Sequence, residues 1–219
     1  MLGLVTIGQS PRDDVVASMF GSLPHGVAVE AGALDELDRC SIDALEPVDG
    51  EQPLVTRLRD GSEVVIAKER MLPHLERAVE RLEQAGCDPI CVLCTGEFPR
   101  LGSASLVVYP DQLMQHVIEA LLPSGTIGVL MPHAGQQDGM VAKWKSATRS
   151  VVTAVASPYS AADQISAVIG ALQPRPDLIV LDCMGYDRAM LRDARGASDV
   201  PVLLSNGIVG SVLRELVEI

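Results

Sequence analysis

Short, almost wholly apolar runs alternate along this chain with longer stretches in which apolar residues recur at helical spacing. Such runs suit buried strands and are too short for core helices, so the pattern predicts parallel sheets with helices on both faces. The first run, residues 2–7, leads through Gly8-Gln9 into Ser10-Pro11-Arg12-Asp13. That stretch reads as a helix start, with Ser10 as N-cap, Pro11 at the first helical position and Asp13 at the third. The helix should run to about Phe20, with a second strand near 26–30. Residues 35–67 read as an insertion, because Leu54–Leu58 and Glu63–Ala67 flank the hairpin signal Asp60-Gly61. From about Glu69 to Ala85 a helix places Leu72, Leu75, Val79 and Leu82 on one face.

The pattern then repeats. Gly125–Met131 reads as a strand ending at Pro132-His133, followed by a helix near 138–147 and a strand at 151–156. Ser160 with Asp163 three residues on has the form of a capping box. Two matching segments stand out. Asp88-Pro89-Ile90-Cys91-Val92-Leu93-Cys94 is followed by Thr95-Gly96-Glu97-Phe98, and Asp177-Leu178-Ile179-Val180-Leu181-Asp182-Cys183 by Met184-Gly185-Tyr186. Each apolar run ends at a Cys, then Gly and an aromatic. Beyond each lies another apolar run and an amphipathic stretch, to Leu122 and to Val217. The expected fold is α/β: two pseudo-symmetric parallel-sheet halves with a β-hairpin insertion in the first and a ligand cleft between them. The first half takes residues 1–110 with 205–219, the second 111–204. Ligands in such sheets sit outside the carboxyl ends of strands, where Gly8–Arg12, Cys94–Glu97, His133–Gln137 and Cys183–Tyr186 all fall.

Composition narrows the function. The net charge of −12 argues against nucleic acid or an anionic membrane as partner, since both call for a basic surface. No apolar run approaches the ~18–20 residues that span a bilayer. The opening residues lack a basic start and a cleavage pattern, so they read as a strand and not a signal peptide. Five cysteines, an odd number, fit a reducing cytosol better than a disulfide framework, and a cytoplasmic location is expected.

Cys94 and Cys183 are the candidate catalytic pair. A buried Cys is most often a small core residue, but these two occupy equivalent stations in a repeat. At a helix N-terminus the partial positive charge would lower a thiol pKa; for Cys183 that helix should start near Asp187. Cys91 and Cys94 form a C-x-x-C within a strand, which puts them on opposite faces, and no further metal ligands lie near in sequence. Cys40 and Cys87 read as structural, and no metal or other cofactor is expected. Around the pair, Ser10 and Arg12 could hold a carboxylate at a helix start. Thr95, His133, Gly185 and Asn206 are further candidates for binding substrate, while Asp182 should point away from the cleft. Neither G-x-S-x-G nor GxGxxG is present.

The chain resembles the AroM family, within the aspartate/glutamate/hydantoin racemase superfamily. The resemblance is carried by Thr6-Ile7-Gly8-Gln9-Ser10-Pro11-Arg12, the Asp60-Gly61 hairpin, Leu181-Asp182-Cys183-Met184-Gly185-Tyr186 and Val200–Asn206. It implies two halves with a motif cysteine closing a strand of each, here Cys94-Thr95 and Cys183-Met184-Gly185. The second motif lacks the Thr and His that follow Cys in the amino-acid racemases and is more similar to the hydantoin-racemase variant. The resemblance therefore implies a cofactor-independent racemase or epimerase of a small carboxylate or hydantoin-like compound. One thiolate would remove the proton alpha to a carbonyl while the other thiol reprotonates the opposite face. A one-Cys decarboxylase or cis–trans isomerase, and a small-molecule-binding protein, are the alternatives. A homodimer through the 35–67 insertion is left open.

Overall fold

A computed structural model describes residues 1–159 and 164–218. The Ser160–Asp163 capping box lies outside the described residues. Two four-stranded parallel sheets form the frame. The first has the order β2 (Ala28–Gly32), β1 (Leu2–Thr6), β5 (Ile90–Val92), β6 (Val107–Val108). The second runs β8 (Arg149–Val155), β7 (Gly125–Met131), β9 (Leu178–Leu181), β10 (Val202–Leu204). Laid side by side, β1 matches β7 and β5 matches β9. The cysteine segments therefore follow equivalent strands.

Strand alternation builds a core on each face of each sheet. In β1, Val5 faces α3 (Lys68–Gln84) and packs with Met71, Leu75, Val79 and Leu82. Its neighbours Leu2 and Leu4 face the opposite way, onto Val15 and Met19 of α1 (Asp13–Phe20) and Val209 and Leu213 of α8 (Ser205–Leu216). In the second half, Val129 and Met131 pack with Met114 and Ile118 of α4 (Pro110–Leu121) and Trp144 of α5 (Gln137–Trp144). Leu130 and Leu181 pack on Ile165 and Ile169 of α6 (Gln164–Gly170) and Leu191 of α7 (Arg188–Gly196). So the chain crosses to the second sheet through α4 and its last helix returns to the first. Among the described residues no helix is long and apolar enough to cross a membrane.

Two details differ from the expectations. Helix α1 begins at Asp13 with Arg12 at the N-cap position, and no side chain caps it. The Ser10 amide and hydroxyl both donate to Asp35 instead, at 2.8 and 2.7 Å, so the serine closes a loop rather than starting a helix. The insertion contains a short helix, α2 (Arg39–Asp43), capped by Asp38, and Cys40 within it is exposed rather than structural. The hairpin, β3 (Pro53–Arg57) and β4 (Glu63–Ala67), does pair around Asp60-Gly61, with Gly61 at φ 87°. It folds over the carboxyl ends of the first sheet and touches the second half, where Gln136 donates to the Pro53 carbonyl at 3.3 Å and Ser157 donates to Glu63.

Candidate active site

Cys94 and Cys183 lie two residues beyond β5 and β9, half-buried at the carboxyl ends of equivalent strands. Their local geometry is the same. The Gly96 amide donates to the Cys94 sulfur at 3.3 Å, and the Gly185 amide to the Cys183 sulfur at 3.4 Å. Both turns lack a side chain for a reason. A Cβ on Gly96 would come within 3.1 Å of Leu54 on the hairpin, and one on Gly185 within 2.5 Å of the Tyr159 hydroxyl. Leu54 and Tyr159 therefore cover the loops that follow the two thiols.

The helix-terminus effect expected to lower the thiol pKa values is outweighed. Burial pushes Cys94 up to about 12, against the Gly96 amide and Lys143, which pull it down; charge on Cys183 raises it further. Burial likewise pushes Cys183 up to about 11, offset in part by the Gly185 amide and the Arg12 guanidinium. Burial thus favours the protonated form of both thiols. Cys91 lies on the opposite face of β5, wholly buried in the core under α1 and α8, where desolvation raises its pKa still more.

Most of the other predicted site residues surround this pair, but their hydrogen bonds are already engaged within the protein. Arg12 is 4% exposed; it grips the Asp14 carboxylate with two bonds of 2.9 Å and donates to the Tyr159 hydroxyl at 3.0 Å. Burial alone would lower its pKa, but Asp14 and Tyr159 more than reverse that. The α1 N-terminus is likewise occupied, since the Arg12 amide donates to Glu30 at 2.7 Å. The Thr95 hydroxyl donates to the main-chain oxygen of Asp182 at 3.1 Å, from the first half to the second. Asn206, in the first turn of α8 and fully buried, donates to Met184 and Tyr186 carbonyls at 2.9 and 2.6 Å and accepts from Ser18 at 3.2 Å. It holds the loop that follows Cys183 in shape. His133 lies two residues beyond β7, and its Nδ1 accepts from the Gly135 amide at 3.0 Å at the start of a 3₁₀ turn over Ala134–Gln136.

Two residues beside the thiols escaped the sequence reading. Tyr159 is one; Lys143 of α5 is the other. Lys143 Nζ donates to the Thr95 carbonyl and to Asp182 Oδ2, each at 2.8 Å. It also borders a cavity of about 20 Å³ shared with Leu54, Thr95, Gly96, Glu97 and Gln136, room for one water-sized group. Nothing at either position marks it in sequence. Lys143 is an ordinary basic residue late in a helix, and only the packing of α5 against Asp182 gives it a role.

Two four-stranded parallel-sheet α/β halves, with equivalent strands β1 and β7, β5 and β9, match the aspartate/glutamate racemase fold. Solved structures share it over nearly the whole chain. The maleate isomerase Iso from Pseudomonas putida S16 is similar at TM-score 0.60 and 10% identity, covering 100% of this chain and 92% of its own. Unliganded arylmalonate decarboxylase matches at TM-score 0.57 and 13% identity, over 97% and 90%. The aspartate racemase of Picrophilus torridus matches at 0.61 and 12%, over 98% and 93%. At such identities the likeness establishes the fold. No curated protein matches the sequence. The AroM protein family profile matches residues 2–217, and the chain belongs to the AroM family.

Proposed function

We propose that the protein is a cofactor-independent isomerase that racemises or epimerises a small carboxylate or hydantoin-like compound, with Cys94 and Cys183 moving the proton. The observation that carries this reading is the matched pair of thiols, each receiving an amide N–H from the glycine two residues on, at 3.3 and 3.4 Å. An amide N–H donated to sulfur favours the thiolate over the thiol. Arg12 favours the Cys183 thiolate and Lys143 the Cys94 thiolate, so either sulfur, once ionised, can serve as the base. That thiolate, its own proton first lost to solvent, takes the proton alpha to the carbonyl, and the other sulfur, as thiol, delivers one to the opposite face of the carbon. Loop amides and the polar groups at the strand ends would stabilise the enolate-like charge. Arg12 and Asn206 serve here mainly by fixing Tyr159 and the 184–186 loop, while Thr95 ties the walls together.

A one-thiol reaction, decarboxylation or cis–trans isomerisation, is the second reading. It is favoured by the unequal surroundings of the two sulfurs and by the names of two of the structural neighbours. Incubation in D₂O with amino acids, hydantoins and aryl or hydroxy acids tests the first reading. Proton NMR should show loss of an alpha-proton signal for at least one class. Consumption of a compound without such exchange favours the second. Absence of both, with thiols inert to alkylation, would leave a binding protein.

A further inference from the structure

Lys143 and Asp182 form the most deeply buried ion pair in the described chain, with side chains 2% and 0% exposed. Removing two such charges from water is costly, and an apolar pair of similar size would serve stability as well. Their placement is therefore informative. Asp182 immediately precedes Cys183, and Thr95 immediately follows Cys94. Lys143 Nζ bonds the Thr95 carbonyl, Asp182 Oδ2 bonds Lys143, and the Thr95 hydroxyl returns to the Asp182 carbonyl at 3.1 Å. Three hydrogen bonds thus close a ring joining the two cysteine loops. Trp144 steadies it by donating its Nε1 to the same Asp182 oxygen at 2.8 Å. Asp182 Oδ1 is buried with no hydrogen-bond partner in the described chain.

We propose that Lys143 is a positioning residue that, with Asp182, holds the two cysteine loops together and balances the charge that Cys94 faces. Electrostatics support the geometry. Lys143 favours the Cys94 thiolate, while Asp182 disfavours the thiolates of both cysteines. The other charged or titratable groups facing the pair are Arg12, Asp14 and Tyr159 on the Cys183 side. Tyr186 also feels Cys183 and Asp182. Asp111, whose carboxyl burial raises, faces Lys143 and Glu97. Within this set Lys143 and Asp182 act with opposite sign on Cys94.

The inference rests on the placement of the thiols, not on the reaction they catalyse. The test uses the full chain with Lys143→Met and Asp182→Asn. Iodoacetamide alkylation of Cys94 and Cys183 is followed across pH by peptide mass spectrometry, with thermal unfolding recorded beside it. Lys143→Met should slow Cys94 alkylation about three- to tenfold at fixed pH, and Asp182→Asn should speed both cysteines by a similar factor. Rates that move the same way in both variants would overturn the charge balance, and unchanged rates would overturn the tie between the loops as well. If Lys143→Met does not fold, the near-isosteric Asp182→Asn decides alone: unchanged or slower alkylation refutes the charge balance. Failure of the isomerase reading shows in proton exchange and leaves these rates as they are.

Discussion

Arg12 Nη2 donates to the Tyr159 hydroxyl at 3.0 Å, joining the loop after β1 in one half to the loop after β8 in the other, beside Cys183. The guanidinium also holds Asp14, and Arg57 approaches the same carboxylate at 3.6 Å. Replacing Arg12 with Met removes the cation that favours the Cys183 thiolate and leaves a partly buried Asp14 without its main partner. Urea unfolding should report a loss of about 2 kcal/mol. At fixed pH Cys183 should alkylate more slowly while Cys94 changes little. Equal slowing of both cysteines would mean that Arg12 acts on the cleft as a whole.

The raised thiol pKa values also make a prediction about alkaline stability. For Cys94 the pKa rises from an ordinary 9.0 to about 12, and for Cys183 to about 11, burial being the main cause in both. The folded chain thus keeps protons that the unfolded chain releases above pH 9. Stability from these groups is fully present below pH 9 and is lost as pH climbs toward 11 to 12, at about 1.4 kcal/mol per pH unit per thiol. Cys91, Tyr159 and Tyr186 are raised by burial and add loss of the same sign. Urea midpoints should hold level from pH 7 to 8 and fall steeply above 9. A midpoint flat to pH 10.5 would show that these thiols are solvated.

Gly8 and Gly185 mark the two places where a roof presses on the site. A Cβ at Gly8 would meet Thr56 Oγ1 at 2.3 Å and the Arg57 carbonyl at 2.6 Å, forcing the hairpin away from the end of β1. Gly8→Ala should cost about 1–3 kcal/mol and make Cys94 alkylate faster. Gly185→Ala should displace Tyr159 and act on Cys183 instead. Cysteine-resolved alkylation distinguishes the two; identical patterns would contradict separate roofs.

The strands were legible because they are buried on both faces. Runs such as Leu178–Leu181 and Gly125–Met131 carry few polar interruptions, and the duplicated Cys segments fall on equivalent strands. Helix α3 matched its apolar stripe, although Met71 and Ala78 are more deeply buried than the expected Leu72. The Ser10 cap failed because Asp35, distant in sequence, outcompetes the helix for both Ser10 donors. Lys143 and Tyr159 were missed for the same kind of reason. Their partners Asp182 and Arg12 lie in other elements, and no spacing rule links a lysine in α5 to a carboxylate after β9. The thiol pKa values are raised where a helix N-terminus alone would lower them, since burial is set by tertiary packing that the local sequence does not carry.

The most direct test of two-thiol proton transfer pairs Cys94→Ser with Cys183→Ser, using whichever compound exchanges its alpha proton in D₂O. Proton NMR would follow exchange while chiral chromatography follows inversion. Because a serine hydroxyl is a far weaker acid than a thiol, either substitution should reduce inversion at least a hundredfold. Loss of inversion in one variant, with the other keeping the full rate, would contradict the pair and leave a single working thiol.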